Sequence, residues 1–384
     1  MRLTGRMSPR RRTSSSVAGV SVAAALLLSA CTPAEYPDAA SPTPSSTPSA
    51  SPRPTPTATP TPTPVPVTPR TVASGLDAPW SMAVVGDVVF VSERDTARIL
   101  EVSLDGTTRV AATIEGVVHS DEGGLLGLAT DGDALYVYST ARSGNRVEKY
   151  PLTGTPGSYG LGEPAAVIDG MPAGTHHNGG RIAFGPDGML YIANGDTSDE
   201  PASQDPGSLA GKILRIAPDG GIPSDNPDPQ SAVYSLGHRN VQGFAWAEDG
   251  TMFASEFGRN YRDELNVIEP GGNYGWPSVE GTGGEADGYI DPVQTWPTDA
   301  ASPSGIAIVN DTILIANLRG RVLRAVPVAD PSSSSELYAG EYGRLRDVTV
   351  GPDGTVFVLT NNTDGRGTPA EGDDRIVSLA VPRP

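Results

Sequence analysis

Apolar and polar residues follow one pattern six times between Ala78 and Val381. Each copy contains an apolar strand, a tight turn, a second strand that ends in small polar residues, and a third strand that opens with a charged residue. The second strands begin at Val88, Leu135, Leu190, Met252, Ile313 and Val356, and the third strands begin at Arg98, Arg146, Lys212, Glu264, Arg321 and Arg375. A repeat of about 40 to 60 residues built from short strands is typical of one propeller blade. The pattern predicts an all-β fold, a six-bladed β-propeller of four-stranded antiparallel blades.

Turn-forming residues separate the apolar runs and support the strand prediction. Four of these turns carry Pro-Asp-Gly or Glu-Asp-Gly, at Gly185–Gly188, Ala217–Gly220, Ala247–Gly250 and Gly351–Gly354. Proline presets one turn angle, aspartate bonds its own backbone, and glycine accepts a positive φ. In a closed ring the loops that enter successive blades meet at one mouth of the channel, so we expect the functional residues on that face.

The first 30 residues have the composition of an export signal. They carry five arginines, no acidic residue, and an apolar run from Val17 to Leu28 that is too short to span a membrane. The run ends at Leu28-Ser-Ala-Cys31, which resembles a bacterial lipobox, and Cys31 is the only cysteine of the chain. We therefore predict lipidation at Cys31, with an incidental buried thiol as the alternative. Arg10–Arg12 is either a twin-arginine signal or an ordinary basic segment.

Residues 31–70 are almost entirely Pro, Thr, Ser and Ala, a composition that cannot bury apolar surface and that predicts a disordered tether. Residues 71–384 then form the propeller domain. The expected product is an exported protein, lipid-anchored to the outer face of the bacterial cell membrane and attached there by the anchor only. The net charge of −18 excludes nucleic acid as a partner and fits a domain that holds calcium.

Two blade-entry segments contain three of the four histidines. The first segment is Thr175–Arg181, with His176 and His177, and the second is Leu236–Gly243, with His238. A histidine in a loop can be a satisfied polar residue, but two such motifs beside glycine and arginine favour a shared site. Metal binding by His176 and His177 together is a rival, although adjacent side chains on an extended segment point apart.

Asp196 follows the strand after His177 and is the expected partner of that histidine. A carboxylate at an adjacent strand end can orient an imidazole and raise its basicity, as a general base requires. The alternative is that Asp196 only caps the turn Gly195–Thr197.

The chain from Glu122 to its C-terminus resembles the soluble glucose and aldose sugar dehydrogenases. That family consists of six-bladed propellers that use pyrroloquinoline quinone (PQQ) and calcium. The resemblance is carried by three motifs in the family's order: Glu122-Gly-Gly-Leu-Leu-Gly-Leu-Ala129, Gly237-His-Arg-Asn240 and Gly271-Gly-Asn-Tyr-Gly-Trp-Pro277.

The resemblance implies a role for each catalytic position. His177 corresponds to the general base that takes the proton of the sugar's anomeric hydroxyl, and Asp196 to the carboxylate that supports it. Arg239 corresponds to the guanidinium that contacts the substrate and stabilises charge as hydride reaches the quinone. Asn240 corresponds to a residue that contacts the cofactor.

The resemblance also implies two calcium sites. Backbone carbonyls of Gly258 and Arg259 correspond to ligands of the calcium that bridges to PQQ and polarises its carbonyl as a Lewis acid. Glu264 and the carbonyl of Tyr274 correspond to a second, structural site. Arg259 stands where the family has a proline, but the site needs only its carbonyl.

PQQ carries three carboxylates, and the resemblance places several cofactor contacts among the arginines. Arg319 stands where the family has a lysine, and Arg344 and Arg346 match an arginine pair whose alternate spacing points both side chains the same way. Surface arginines that serve solubility are the alternative. Thr298 is the candidate threonine contact. Glu122 stands where the best-known glucose dehydrogenase of the family has a glutamine near cofactor and sugar, and a carboxylate there repels PQQ or, if protonated, donates a hydrogen bond.

These inferences predict a PQQ- and calcium-dependent oxidation of an aldose at C1 to the lactone, with electrons passing to an external acceptor. One alternative is a non-enzymatic calcium-binding propeller that binds a glycan or a protein, for which Glu122 is the best support. A second alternative is a calcium-dependent lactonase, which would place carboxylates and an asparagine around a channel metal.

Overall fold

The structure is a computed structural model that describes residues 68–379. The predicted signal peptide, Cys31 and the tether up to residue 67 lie outside the described residues. Within the described range, no helix has the length and apolar character needed to cross a membrane.

The described residues form six antiparallel sheets and two short 3-10 helices, Glu200–Gln204 and Glu285–Asp287. Strand β1 (Arg70–Ser74) begins the described chain. The first blade contains β2 (Pro79–Val85), β3 (Val88–Glu93), β4 (Arg98–Ser103) and β5 (Thr108–Thr113). The second contains β6 (Leu125–Thr130), β7 (Ala134–Ala141), β8 (Gly144–Thr153), β9 (Gly160–Leu161) and β10 (Ala165–Met171). The third contains β11 (Ile182–Phe184), β12 (Leu190–Asn194), β13 (Lys212–Ile216) and β14 (Val233–Leu236).

The remaining three blades follow in chain order. The fourth contains β15 (Val241–Trp246), β16 (Met252–Glu256), β17 (Arg262–Ile268) and β18 (Gln294–Pro297). The fifth contains β19 (Pro303–Val309), β20 (Thr312–Asn317), β21 (Val322–Pro327) and β22 (Ser335–Leu337). The sixth contains β23 (Leu345–Val350), β24 (Val356–Thr360) and β25 (Arg375–Leu379), and β1 completes it by pairing with β25.

The ring is closed by its two ends. The first strands of neighbouring blades contact one another around the ring. The contacts are β2 with β6, β6 with β11, β15 with β19, β19 with β23, and β23 with β2. The third and fourth blades contact each other through β12 and β15. Because β1 lies in the same sheet as the last three strands, the two ends of the described chain share one blade. The predicted six-bladed β-propeller is confirmed.

Small differences from the predicted pattern have local causes. The third strand of the second blade begins at Gly144, before the predicted Arg146, because its hairpin pairing extends to Ala141 and Gly144. The same blade carries an extra strand, β9, which pairs with the far end of the ten-residue β8. This blade therefore has five strands rather than four.

The second strand of each blade is buried on both faces, which explains its nearly continuous apolar sequence. All six residues of β3 are buried, as are all five of β12. The core consists of apolar clusters between adjacent sheets, for example Phe90, Leu125 and Leu135 between the first two blades.

The small polar residues that end these strands bond to strands of the neighbouring blade. Ser92 donates to the carbonyl of Leu126 in β6 at 2.5 Å, and Asn194 Oδ1 accepts from the hydroxyl of Tyr138 in β7 at 2.7 Å. Since these residues are buried, each bond ties one sheet to the next.

Candidate active site

A cavity of about 410 Å³ lies where segments from all six blades meet. Its lining is dominated by arginine and by the blade-entry loops. The lining residues are Trp80, Arg94, Glu122, His177, Asn178, Gly179, Arg239, Asn240, Gln242, Phe257, Gly258, Arg259, Ser302, Leu318, Arg319, Arg344, Arg346 and Arg366. The two histidine-containing segments singled out in the sequence thus contribute to one cavity.

His177 reaches the cavity from the loop that precedes β11. Its backbone is in the left-handed region with a φ of 55°. Its Nδ1 lies 2.8 Å from Oδ1 of Asp196, which follows β12 in the same blade. Because an ionised carboxylate can only accept hydrogen bonds, Nδ1 carries the proton in this pair.

Asp196 is completely buried and accepts two further hydrogen bonds that help to keep it charged. Its Oδ1 also accepts from the backbone N–H of Ser198 at 2.8 Å, and its Oδ2 accepts from Nε1 of Trp276 at 2.8 Å. Burial alone would raise the pKa of Asp196, but the bonds from His177, Ser198 and Trp276 outweigh burial and lower that pKa below its ordinary value. Asp196 therefore caps its own turn and also orients the imidazole.

Arg239 fixes the protonation state of the second ring nitrogen of His177. Its Nη2 lies 2.7 Å from His177 Nε2, and its Nη1 donates to the carbonyl of Phe257 at 3.1 Å. A guanidinium has no acceptor, so Nε2 is the unprotonated nitrogen. Burial lowers the pKa of Arg239, while nearby carboxylates, Asp196 first among them, oppose that effect. The cavity therefore presents a basic nitrogen beside a fixed cation.

Glu122 lies next to the histidine and is paired. Its Oε2 accepts the backbone N–H of His177 at 2.8 Å, and its Oε1 lies 3.1 Å from Nη1 of Arg366. The carboxylate of Glu122 thus has a counter-charge within the site.

Asn240 lines the cavity with one unused donor. Its Oδ1 accepts the backbone N–H of Gly179 at 3.1 Å, while its buried Nδ2 has no partner among the described residues. A buried donor without a partner costs about 1–3 kcal/mol, so its position at the cavity wall indicates a place for a ligand acceptor.

The three predicted arginines all line the cavity but differ in their surroundings. Arg344 binds Oδ2 of Asp364 at 2.9 Å. Arg346 is buried and donates to Oε1 of Gln242 at 2.7 Å, and burial lowers its pKa to about 9, against the opposing charge of Asp364. Arg319 is exposed and forms no hydrogen bond or ion pair within residues 68–379. The cavity therefore suits an anionic ligand.

Thr298 lies in the turn after β18 and does not line the cavity. Ser302, four positions further along the chain, lines it instead, and its backbone N–H donates to Oδ2 of Asp263 at 2.6 Å. The entry to the fifth blade begins after the turn that contains Thr298, which explains the shift.

Gly258 and Arg259, the predicted ligands of the first calcium site, lie together at the cavity wall. The backbone N–H groups of residues 259–262 all donate to Oε1 of Glu280, at 2.8 to 3.1 Å. The carbonyls of Gly258 and Arg259 accept no hydrogen bond from the described residues. These free oxygens are ligands of the type that calcium prefers.

The predicted second calcium site lies behind this loop. Glu264, Tyr274, Glu256 and Glu280 line one small cavity of about 10 Å³. Burial and the charge of Glu256 raise the pKa of Glu264 to about 8. Among residues 68–379 no group of three or more His, Cys, Asp and Glu side chains has a metal-binding arrangement. Any cation here would therefore combine carboxylate oxygens with backbone carbonyls.

Several residues in or beside the cavity had no predicted role. Arg366 and Arg94 come from loops without a motif, and nothing in the local sequence marks them. Trp276 does lie in a motif that was noted, but its bond to Asp196 joins segments far apart in the chain. The glycine-rich turn next to Trp276 was the one feature of the local sequence that could have indicated a role for this residue.

The fold and the cavity together define a six-bladed propeller with a histidine–aspartate pair and an arginine-rich binding site. The chain belongs to the Glucose / Sorbosone dehydrogenase family, whose model matches residues 76–368.

Three similar proteins illustrate the relationship. The PQQ-bound form of Aldose Sugar Dehydrogenase from Streptomyces coelicolor shares 47% identity with a TM-score of 0.77, over 80% of this chain and 96% of that chain. Aldose sugar dehydrogenase YliI of Escherichia coli is 27% identical over 78% of this chain and 91% of the relative. Quinoprotein glucose dehydrogenase B of Acinetobacter calcoaceticus is 31% identical, over 55% of this chain and 52% of the relative.

Proposed function

We propose that the chain is a PQQ- and calcium-dependent aldose dehydrogenase that oxidises a sugar at C1 to the lactone and passes the electrons to an external acceptor. The observation that carries the proposal is the unprotonated Nε2 of His177, held between Asp196 and Arg239 in an arginine-rich cavity. The PQQ-bound structure of a protein 47% identical to this chain supports the choice of cofactor.

The residues present fit the two cofactors. Arg319, Arg344 and Arg346 offer cations for the carboxylates of PQQ, and the unpartnered Nδ2 of Asn240 offers a donor. The free carbonyls of Gly258 and Arg259 suit calcium. When bound, PQQ would supply a hydride acceptor and calcium would supply a Lewis acid.

The chain's own residues handle the proton and the charge. Nε2 of His177 takes the proton of the anomeric hydroxyl, and Asp196 stabilises the imidazolium that results. Arg239 Nη2 donates to that nitrogen at 2.7 Å, so a sugar hydroxyl must displace this bond before it can donate to Nε2, and the released guanidinium can then donate to the hydroxyl oxygen. The same arginine thereby stabilises the negative charge that develops on the sugar oxygen.

Glu122 was the main sequence support for the non-enzymatic alternative. Its ion pair with Arg366 supplies a counter-charge within the cavity, so the carboxylate is compatible with an anionic cofactor. This observation favours the dehydrogenase over the binding module.

The test combines cofactor binding with activity. PQQ is titrated calorimetrically into the calcium-loaded protein, and sugar oxidation is followed with a dye acceptor. We expect calcium-dependent binding, and we expect His177→Ala to bind PQQ but to lose activity by about 10²–10⁴-fold. His176→Ala is the matched control, because that neighbouring imidazole is exposed and contacts Thr175 and Asp121 instead. Undiminished oxidation in His177→Ala would remove the base assignment.

We also propose that the protein is exported and anchored to the outer face of the bacterial cell membrane by a lipid on Cys31. The lipobox-like sequence and the proline-rich tether support this proposal. Mass spectrometry of the protein purified from membranes should find a lipidated Cys31 as the first residue. A Cys31→Ala variant should lack that lipid, and an unmodified cysteine in the wild type would contradict the proposal.

A further inference from the structure

Arg366 connects two distant loops at the edge of the cavity. It lies between β24 and β25, and its guanidinium reaches the loop that precedes β6. There its Nη2 donates to Oδ1 of Asp121 at 2.7 Å, and its Nη1 lies 3.1 Å from Oε1 of Glu122. The contact joins residues 245 positions apart.

The cavity has a strongly uneven distribution of charge. Of the described residues that line it, seven are arginines and one, Glu122, carries a carboxylate. That carboxylate would repel an anionic ligand that the arginines attract. An acceptor without charge, such as an amide oxygen, would avoid the repulsion.

Glu122 nevertheless has a positioning role that needs an acceptor at this point. Its Oε2 takes the backbone N–H of His177, whose left-handed φ of 55° is unusual for a residue with a side chain. Its own backbone N–H donates to the carbonyl of Thr175 at 3.0 Å. The carboxylate therefore fixes the segment that carries the histidine.

Arg366 is itself held in place. Its backbone N–H donates to Oδ1 of Asp364 at 2.9 Å, and Oδ2 of the same aspartate binds Arg344 at 2.9 Å. Asp121, the second partner of the Arg366 guanidinium, is about half exposed and also lies 3.2 Å from Nε2 of His176. The backbone of Arg366 is thus held by Asp364, and its guanidinium is shared between the carboxylates of Asp121 and Glu122.

We propose that Arg366 is a charge-compensating and positioning residue: it neutralises Glu122 so that an anionic quinone can bind beside that carboxylate, and it keeps Glu122 aligned on the backbone of His177. The inference rests on the proposed function for the identity of the anionic ligand. It explains how an anionic ligand can bind in a cavity that contains the carboxylate of Glu122.

The test is a double-mutant cycle read out by PQQ binding rather than by turnover. Calorimetric titration of calcium-loaded protein is done for the wild type, Arg366→Gln, Glu122→Gln and the double variant. We expect Arg366→Gln to weaken binding on the order of tenfold, because it leaves Glu122 without a counter-charge. Glu122→Gln should bind at least as tightly as the wild type. The double variant should regain most of the loss, since both charges are gone.

Two further measurements separate compensation from a structural effect. Arg366→Lys keeps the charge and should bind within a few-fold of the wild type, and the defect of Arg366→Gln should grow at low ionic strength. Lys149→Gln is the matched control, because it breaks a surface ion pair with Asp131 outside the cavity. Thermal melts confirm that each variant folds.

The possible failures are distinguishable. If the wild type binds no PQQ, the proposed function and this inference both fail. If the wild type binds PQQ and Arg366→Gln binds equally well, only the inference is wrong. A double variant as weak as Arg366→Gln would also overturn the inference, because Arg366 would then contact the cofactor independently of Glu122.

Discussion

Trp276 donates the hydrogen bond of its indole Nε1 to Oδ2 of Asp196 at 2.8 Å, across 80 positions of the chain. The other oxygen of Asp196 is bound to His177, so the indole holds the carboxylate from the side opposite the imidazole. The same ring lies 5.5 Å from the guanidinium carbon of Arg239. One tryptophan of the fourth blade thus contacts both residues that flank the candidate base.

Trp276→Phe should lower kcat about tenfold, since the change keeps most of the ring but removes one charge-assisted hydrogen bond. That bond is among the causes of the lowered pKa of Asp196, so its loss raises this pKa. Asp196 then protonates at a higher pH, and the acid limb of the pH–activity profile should move upward. Trp246→Phe, in a groove away from the cavity, is the control. An unchanged profile would show that the indole does not tune Asp196.

Asp196→Asn should reduce kcat by about 10²–10⁴-fold while PQQ still binds. An amide NH₂ can donate to Nδ1 of His177, which would place the ring proton on Nε2, opposite the donor Arg239. The base would then be unavailable. Steady-state kinetics with calorimetric PQQ titration measures both effects. Asp199→Asn, an exposed neighbour, should behave as the wild type. Equal activity of the two variants would contradict the orienting role.

The sequence predicted the fold because the strands of one propeller blade are close together in the sequence. Each strand pairs mainly with the next strand of the chain, so the apolar alternation and the turns of one blade specify that blade. The pairing of β1 with β25 joins the two ends of the described chain, and no local pattern indicates it. The extra strand β9 also escaped prediction, because its two residues carry no alternation.

The site was predictable where a motif coincides with a strand end. His177 and Asp196 lie at the ends of neighbouring strands of one blade, so their spacing indicated contact. Arg366 could not be found in this way, because its contacts depend on how the sixth blade faces the second across the ring. The place of Thr298 was likewise undetermined, since several polar residues follow β18 and only the backbone decides which of them reaches the cavity.

Lys212→Met should destabilise the domain by about 3 kcal/mol. The buried ammonium of Lys212 donates to the carbonyls of Ala202, Ser203 and Ala210 at 2.8, 3.0 and 2.7 Å. Methionine removes all three bonds and leaves the Ala210 carbonyl without a donor among the described residues, while the other two carbonyls keep the backbone N–H groups of Asp205 and Gly237. Urea unfolding measures the difference. Lys149→Met removes a partly exposed lysine from a surface pair and should cost at most about 1 kcal/mol. Similar losses in both variants would show that the buried ammonium contributes no more to the free energy of unfolding than a surface ion pair does.

The segment held by Lys212 also supports the candidate site. The hydroxyl of Ser203 donates to the carbonyl of His238 at 2.9 Å, and the Gln204 amide donates to the carbonyl of Trp276 at 2.7 Å. We therefore expect Lys212→Met to lower kcat even under conditions where the protein remains folded. Activity equal to that of the wild type under such conditions would indicate that the loop keeps its place without the lysine.

Asp364 provides a prediction about acid stability. Burial would raise its pKa, but Arg344 and Arg346 outweigh burial and lower the pKa below the ordinary 3.8. A carboxyl whose pKa is depressed in the folded state contributes stability above pH 3.8, and this contribution is lost as the pH falls through the folded-state pKa. Asp364→Asn should therefore have a lower Tm than the wild type at neutral pH and a smaller further drop between about pH 5 and pH 2.5. Thermal melts across this range test the expectation, with the exposed Asp299→Asn as control. Parallel Tm–pH curves for the wild type and Asp364→Asn would contradict the prediction, because they would show that ionisation of Asp364 adds no stability to the folded state.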